Sequence, residues 1–262
     1  MKLAIFGATG RMGLAVARVA HAASDVQIVG AIAAPDDPLQ GSDVGEVAGI
    51  GPIGVVVSAD LVSGILGADV LIDFSVAGAV PHLFSVCEKK GIPVVSGTTN
   101  MDDKGTLALE KLAQRVPVVW APNMSRGVQV LAELVQHAMR RLGTDFDVEI
   151  VEVHHRRKLD SPSGTAVRLA HAAQEVRSEL SEVRGRDGQI GARKSDEIGN
   201  LALRGGDVIG DHTVHLLGDS ERIELTHRAT DRDLFARGAL GAARFVVGRA
   251  PGRYSIADVV AG

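Results

Sequence analysis

Along residues 1–120, short apolar runs alternate with longer stretches whose apolar positions recur every three or four residues. Runs at 3–6, 26–33, 54–57, 70–74, 93–96 and 118–120 read as buried strands, and stretches at 12–23, 79–90 and 104–114 read as helices. Gly91 stands just past the second of these helices, where a C-terminal cap belongs. Parallel strands need crossover connections, so strand–helix alternation predicts an α/β unit built on a doubly wound parallel sheet.

Beyond residue 123 the pattern changes. Val128, Leu131, Leu134, Val135, Ala138 and Leu142 mark a helix over 127–141. Strand-like segments follow at 148–154, 198–203, 213–217 and 222–226, with few helices among them, which is the pattern of an α+β domain with a mixed or antiparallel sheet. Between the first two, Ser161 reads as an N-cap and Pro162 as the first helical residue, with Ala166, Leu169, Ala170, Ala173, Val176 and Leu180 as the buried stripe. Residues 181–200 form a polar, glycine-containing connection. Segment 234–247 reads as a helix rich in Ala and Gly, suited to close packing and able to return to the first domain. The expected division is 1–125, rejoined by 234–262, and 126–233.

Composition narrows the classes. A chain of 262 residues can bury a core in one large domain or two modest ones. A net charge of −4 with 45% hydrophobic residues argues against a nucleic-acid surface or a disordered tail. The one cysteine, Cys87, cannot close an internal disulfide. The apolar start breaks at Gly7, unlike a signal peptide, and no run approaches the roughly 20 residues of a membrane span. A cytoplasmic protein with neither membrane nor nucleic-acid partner is expected.

Gly7-Ala8-Thr9-Gly10-Arg11-Met12-Gly13 lies between the first strand and the first helix. There a Rossmann-like fold brings backbone up to a dinucleotide pyrophosphate at a helix N-terminus, although the spacing here is GxxGxxG rather than GxGxxG. A tight turn without ligand is the plainer alternative. Roughly 20 positions on, the second strand ends in Ala33-Ala34-Pro35-Asp36-Asp37, with alanine where a ribose-binding carboxylate often sits. Asp36 can substitute, Arg11 is the nearest candidate for a phosphate contact, and the choice between NADH and NADPH stays open. Gly97-Thr98-Thr99 and Ala121-Pro122-Asn123-Met124-Ser125 follow later strands at their carboxyl ends, where ligands of such sheets bind.

The densest chemistry is "HHRRKLDSPSGTA", residues 154–166. Strand alternation puts Ile150, Glu152 and His154 on one face and Val151, Val153 and His155 on the other. The backbone N–H groups of Ser163, Gly164 and Thr165 would face outward from a helix start, which with Lys158 makes a receptor for an anionic small molecule. Histidine or lysine can deliver a proton there. No metal site is expected: His212 and His215 point to opposite faces of their strand, and Cys87 is alone.

"EVHHRRKLDSPSGTA", together with "GATGRMG", "SGTT" at 96–99, "APNMSRGV" at 121–128, "RGGDVIGDHTV" at 204–214 and "ERIELTHRA" at 221–229, resembles the 4-hydroxy-tetrahydrodipicolinate reductase (dihydrodipicolinate reductase) family over nearly the whole chain. The resemblance implies hydride transfer from NADPH and/or NADH to C4 of a cyclic imine dicarboxylate, giving tetrahydrodipicolinate in diaminopimelate and lysine biosynthesis. It implies His154 as acid/base, Lys158 as proton donor, and His155, Gly164 and Thr165 at the substrate, where the helix-start reading also puts Ser163. Gly7, Ala8, Thr9, Gly10, Arg11 and Met12, with Gly97, Thr98, Thr99, Ala121, Pro122, Asn123 and Met124, match the cofactor segments. A homotetramer built through the second domain's sheet, and domain closure over substrate, are implied as well. The chain departs from the family pattern at Ala34-Pro35, where an acidic residue is usual, and at Ser161, where alanine is commoner. A rival reading, a nucleotide-sensing regulator without catalysis, leaves His154, Lys158 and the helix start without a task.

Overall fold

In the computed structural model, which describes residues 1–262, the apolar runs of the amino-terminal half form a parallel sheet with a helix after almost every strand. The elements are β1 (Lys2–Phe6), α1 (Arg11–His21), β2 (Gln27–Ile32), α2 (Val44–Ala48), β3 (Val57–Ser58), α3 (Leu61–Gly64), β4 (Val70–Asp73), α4 (Val80–Lys90), β5 (Val94–Ser96), α5 (Asp103–Ala113) and β6 (Pro117–Trp120). Then come α6 (Arg126–Leu142), β7 (Asp147–His154), α7 (Gly164–Gln174), β8 (Ser181–Val183), β9 (Glu197–Arg204), β10 (Gly210–Leu217) and β11 (Arg222–Ala229). The tail carries α8 (Asp233–Val246), β12 (Gly252–Tyr254) and α9 (Ile256–Ala261). Met1–Ser125 with Asp233–Gly262 is one compact unit and Arg126–Arg232 another. No helix is long and apolar enough to cross a membrane.

The first unit is Rossmann-like, its seven strands running β12-β6-β5-β4-β1-β2-β3. Both sheet faces are covered, as the unbroken apolar runs require. On one face Leu3, Ile5, Val70 and Ile72 pack with α1 and α8; on the other Leu71, Val94 and Val118 pack with α4 and α5. The small residues of α8 are explained by this packing: a Cβ on Gly238 would lie 1.7 Å from the Met124 carbonyl oxygen. Ala236, Ala239, Ala242 and Ala243 are fully buried beside it.

The short elements α2, α3, β8 and β12 span too few residues to show a period, so the hydrophobic pattern misses them. Expected strand 54–57 forms only at Val57–Ser58, because Gly51 and Gly54 take left-handed turns at φ +81° and +79°.

In the second unit the five strands run β11-β10-β7-β9-β8. β7 pairs parallel with β9 and antiparallel with β10, so the sheet is mixed. Alternation along β7 and β10 buries Val148, Ile150, Val214 and Leu216 against Leu131, Val135 and Met139 of α6 and Leu169, Ala170 and Ala173 of α7. The start of α7 differs from expectation. Its N-cap is Ser163, whose Oγ accepts from Ala166 N at 3.2 Å, and Ser161 and Pro162 lie before the helix. The helix stops at Gln174, so Val176 and Leu180 pack from the turn that follows.

In the glycine loop, a Cβ on Gly13 would stand 2.2 Å from the Gly7 carbonyl oxygen and 2.7 Å from Ala8 Cα. Neither backbone atom can move without shifting β1 or α1. Gly13→Ala is expected to lower stability by about 1–3 kcal/mol in urea titrations. Gly78→Ala, whose Cβ would meet nothing within 4 Å, should leave the midpoint unchanged.

Candidate functional site

The crossing from β1 to α1 is held open by backbone. Gly7 adopts φ +76°, and a Cβ there would meet the Phe74 carbonyl oxygen at 2.6 Å. The N–H groups of Gly7 and Ala8 both donate to Ile32 O, at 2.9 and 3.0 Å, tying the loop to the end of β2. Gly10 caps α1 with no side chain across its first amides, which leaves that helix end fit for a phosphate. Beside it lies a cavity of about 620 Å³, bordered by Gly7, Thr9 and Gly10, by Pro35 and Asp37 after β2, and by Val62 of α3. It sits at the carboxyl ends of the strands beside the β4/β1 reversal of strand order, where dinucleotides bind in such sheets. Loop, helix start and cavity fit a nicotinamide dinucleotide.

The other expected cofactor residues divide into two kinds. Ala8 and Met124 are buried in the core, so only their backbone can face a ligand. Arg11 is exposed at the first residue of α1 and Met12 is half-buried behind it; neither lines the cavity. Asp37, not Asp36, turns toward the glycine loop, with Thr9 Oγ1 donating to Oδ2 at 2.5 Å. Around Gly97-Thr98-Thr99, a carboxylate that sequence reasoning passed over organises the loop. Fully buried Asp73 accepts from Ser96 Oγ at 2.7 Å, Thr98 Oγ1 at 2.9 Å and Ser75 N at 2.9 Å. Thr98 O accepts from Trp120 Nε1 at 3.0 Å, leaving Thr99 exposed at the tip. After β6, Ala121 is buried, Pro122 is exposed, and Asn123 Oδ1 accepts from Ser125 N at 2.8 Å.

In the second unit the chemistry gathers around Glu152, which has no exposed surface. Its Oε1 accepts from Ser163 N at 2.9 Å and from Arg204 Nη2 at 3.0 Å, and Oε2 meets His154 Nδ1. His212, opposite Glu152 in the β7/β10 register, stands edge-on to His154 with ring centroids 5.0 Å apart. Its Nε2 lies 3.0 Å from Ser163 Oγ. Ser163 is therefore engaged internally through both its N–H and its hydroxyl, a correction to the expected open cradle. Gly164 is exposed and Thr165 half-buried at the helix mouth.

Lys158 Nζ pairs with both oxygens of Asp160, at 2.8 and 2.9 Å. His155 faces away from His154, its Nε2 3.2 Å from Arg232 Nη2. Arg156 and Arg157 are exposed. The loop between β9 and β10 fastens the turn: Gly205 N donates to His154 O at 2.9 Å and His155 N to Val208 O at 2.7 Å. Alternation along β7 already placed Glu152 beside His154. His212, Arg204 and Arg232 were missed because they reach the site through the register of strands distant in sequence. The ligand atoms of Glu152, His154 and His212 lie within 4.8 Å of one another, a grouping that the His212/His215 spacing concealed. Arg204 and the Ser163 amide already balance the carboxylate there.

Residues 1–124 match the family model described as dihydrodipicolinate reductase, N-terminus, and residues 127–260 the one described as dihydrodipicolinate reductase, C-terminus. The chain belongs to the dihydrodipicolinate reductase family. Among dihydrodipicolinate reductases, the 4-hydroxy-tetrahydrodipicolinate reductase of Myxococcus xanthus is 46% identical, the match covering 99% of this chain and 97% of that one. The enzyme of the same name from Methanopyrus kandleri is 47% identical over 98% and 96%. A solved dipicolinate-bound dihydrodipicolinate reductase from Paenisporosarcina sp. TG-14 shares the fold, with a TM-score of 0.77, 23% identity and 97% of each chain covered.

Within the buried cluster the ionisable groups are shifted from their ordinary values. Burial opposes ionisation of Glu152, but Arg204, the Ser163 amide and His154 outweigh it and hold its pKa below the usual carboxylate value. Burial lowers His154 more than Glu152 raises it. His212 is pushed down from 6.5 to about 4, chiefly by burial and then by His154. Both imidazoles are thus neutral at pH 7. The Glu152 carboxylate faces Nδ1 of His154, and Nε2 is the ring nitrogen turned away from it.

A histidine whose pKa falls on folding takes up its proton later than in the unfolded chain. Between pH 6.5 and about 4 the unfolded state therefore binds more protons, and stability falls as pH is lowered through that window. Denaturant titrations should show a loss of up to about 3 kcal/mol from His212. His212→Asn should make the profile shallower over the same range.

Proposed function

We propose that this chain reduces 4-hydroxy-tetrahydrodipicolinate to tetrahydrodipicolinate, the first unit binding NADH or NADPH and the second the ring dicarboxylate. The observation that carries the reading is the junction of Glu152, His154 and Ser163 at the mouth of α7, with Lys158 on the adjoining turn. It supplies a basic ring nitrogen, an ammonium and a helix N-terminus within one unit, the set that a dianion needing a proton requires. Packing does not demand glycine at 164, where a Cβ would meet nothing within 4 Å. Gly164 and Thr165 open the helix end that would receive a carboxylate, and His155 with Arg232 offers a second polar contact.

The nicotinamide, when bound, supplies the hydride that arrives at C4 of the dehydrated substrate. Electron density then moves through the conjugated imine toward C3, which takes a proton. Lys158 exchanges Asp160 for substrate and carries that proton, since neutral His154 presents a lone pair at Nε2 rather than an N–H. The nearby ammonium also stabilises the developing charge, a contribution that grows in a preorganised site. His154 Nε2 serves as the partner that accepts and returns the proton. Glu152 acts through His154 by fixing its ring orientation and tautomer. Asp73 holds Thr98, and with it the loop that would border the nicotinamide.

A reductase of this kind acts on a metabolite of the cytoplasm, and we place the protein there. It would assemble as a homotetramer through the second unit's sheet. The sheet face that carries Val151, Val153 and Thr213 has no helix of its own unit packed on it, and Leu203 there is 57% exposed.

The test is oxidation of the reduced cofactor with substrate generated in place from pyruvate and aspartate semialdehyde. Lys158→Ala should lower kcat by about 10²–10⁴-fold with cofactor affinity unchanged. Glu152→Gln should lower it by about 10²-fold. Because the Glu152 charge raises the His154 pKa, its removal should also shift the acidic limb of the pH–rate profile to lower pH. Cofactor binding without turnover by the unsubstituted protein would sink the assignment.

A further inference from the structure

The chain lacks a carboxylate at the end of β2, where Ala33, Ala34 and Pro35 stand, yet the cavity beside the glycine loop is not without one. Asp37 reaches it from a turn built for the purpose. Asp37 N donates to Ala34 O at 3.0 Å and Gln40 N to Asp37 O at 3.1 Å. Gln40 Nε2 donates to Ala34 O at 2.7 Å, closing the turn from its far side. Leu39 N donates to Asp37 Oδ1 at 2.9 Å and Thr9 Oγ1 to Oδ2 at 2.5 Å. The carboxylate is therefore anchored to the glycine loop itself. Each of its oxygens keeps a lone pair, and the two donors hold its pKa below the usual carboxylate value. A hydroxyl pair could use those lone pairs; a phosphate dianion would meet a fixed negative charge.

The rest of the wall agrees. Pro35, Leu61 and Val62 supply an apolar surface suited to a purine face, and Asp60 is the other carboxylate at the cavity. No lysine or arginine lines it, and His82 is its one basic side chain. Arg11, the nearest arginine in the glycine loop, is exposed outside the wall.

Resting on the dinucleotide-binding reading above, we infer that Asp37, held by Thr9, is the specificity-determining residue of the cofactor site: it receives the adenosine ribose hydroxyls and excludes a 2′-phosphate, making this reductase selective for NADH over NADPH. A like charge brought to a fixed carboxylate in a cavity without a counter-cation is opposed strongly enough to set such a choice. The hydroxyl contact, by contrast, is charge-assisted.

Binding measured calorimetrically on the full chain, without substrate, separates this inference from the catalytic one. NADH should bind at least about tenfold more tightly than NADPH, and ADP more tightly than 2′,5′-ADP, which isolates the ribose end. Asp37→Asn retains the acceptor for Leu39 N and the size of the side chain while removing the charge. It should erase most of that ratio, mainly by improving NADPH, with an unchanged unfolding midpoint. NADPH binding as tightly as NADH, or a ratio unmoved in Asp37→Asn, would overturn the assignment of Asp37 while leaving the dinucleotide site standing. Failure of both nucleotides to bind would overturn the site itself.

Discussion

A carboxylate with no exposed surface has to be answered on every side, and in the second unit Glu152 is the group around which everything else is arranged. Removing such a charge from water costs several kcal/mol, offset only where donors converge on it. Two donors from elsewhere in the chain do so, the first amide before α7 and an arginine at the end of β9, with the His154 ring against the other oxygen. The requirement therefore fixes more than one side chain. It sets where α7 begins and how β9 lies beside β7. The local fold around it follows from that one buried charge.

The first unit repeats this device with a different outcome. Asp73 ends β4 as a buried carboxylate, but its partners are two hydroxyls and an amide and no cation. Without a positive neighbour, burial dominates and raises its pKa, where Glu152 is lowered. One carboxylate remains a charge that can orient a base; the other is a knot joining the loops after β4 and β5. The cation beside Glu152 favours its charge, and burial without a cation disfavours that of Asp73.

Much of this was legible in the amino-acid order. The strands of the parallel sheet showed as unbroken apolar runs because both faces are covered, and alternation along β7 sorted Glu152 and His154 to the buried face. Family resemblance contributed roles that no spacing carries. The start of α7 was misread because Ser161-Pro162 looks like a helix opening, whereas the cap that forms is the serine whose amide Glu152 can also use. His212, Arg204 and Arg232 were invisible because pairing register between separated strands is not written locally. Asp37 was passed over for its neighbour Asp36, since only the closed turn decides which of two adjacent carboxylates points inward.

The return of Asp233–Gly262 to the first unit bears on how the protein is made. α8 fills the face between α1 and the central strands, and β12 extends the sheet beside β6. On the ribosome, the first unit therefore waits with one flank of its sheet bare until residues 233–262 have been made. The second unit, continuous in sequence, can finish folding earlier. A product cut before residue 233 would carry an intact second unit and an open, apolar flank on the Rossmann-like sheet.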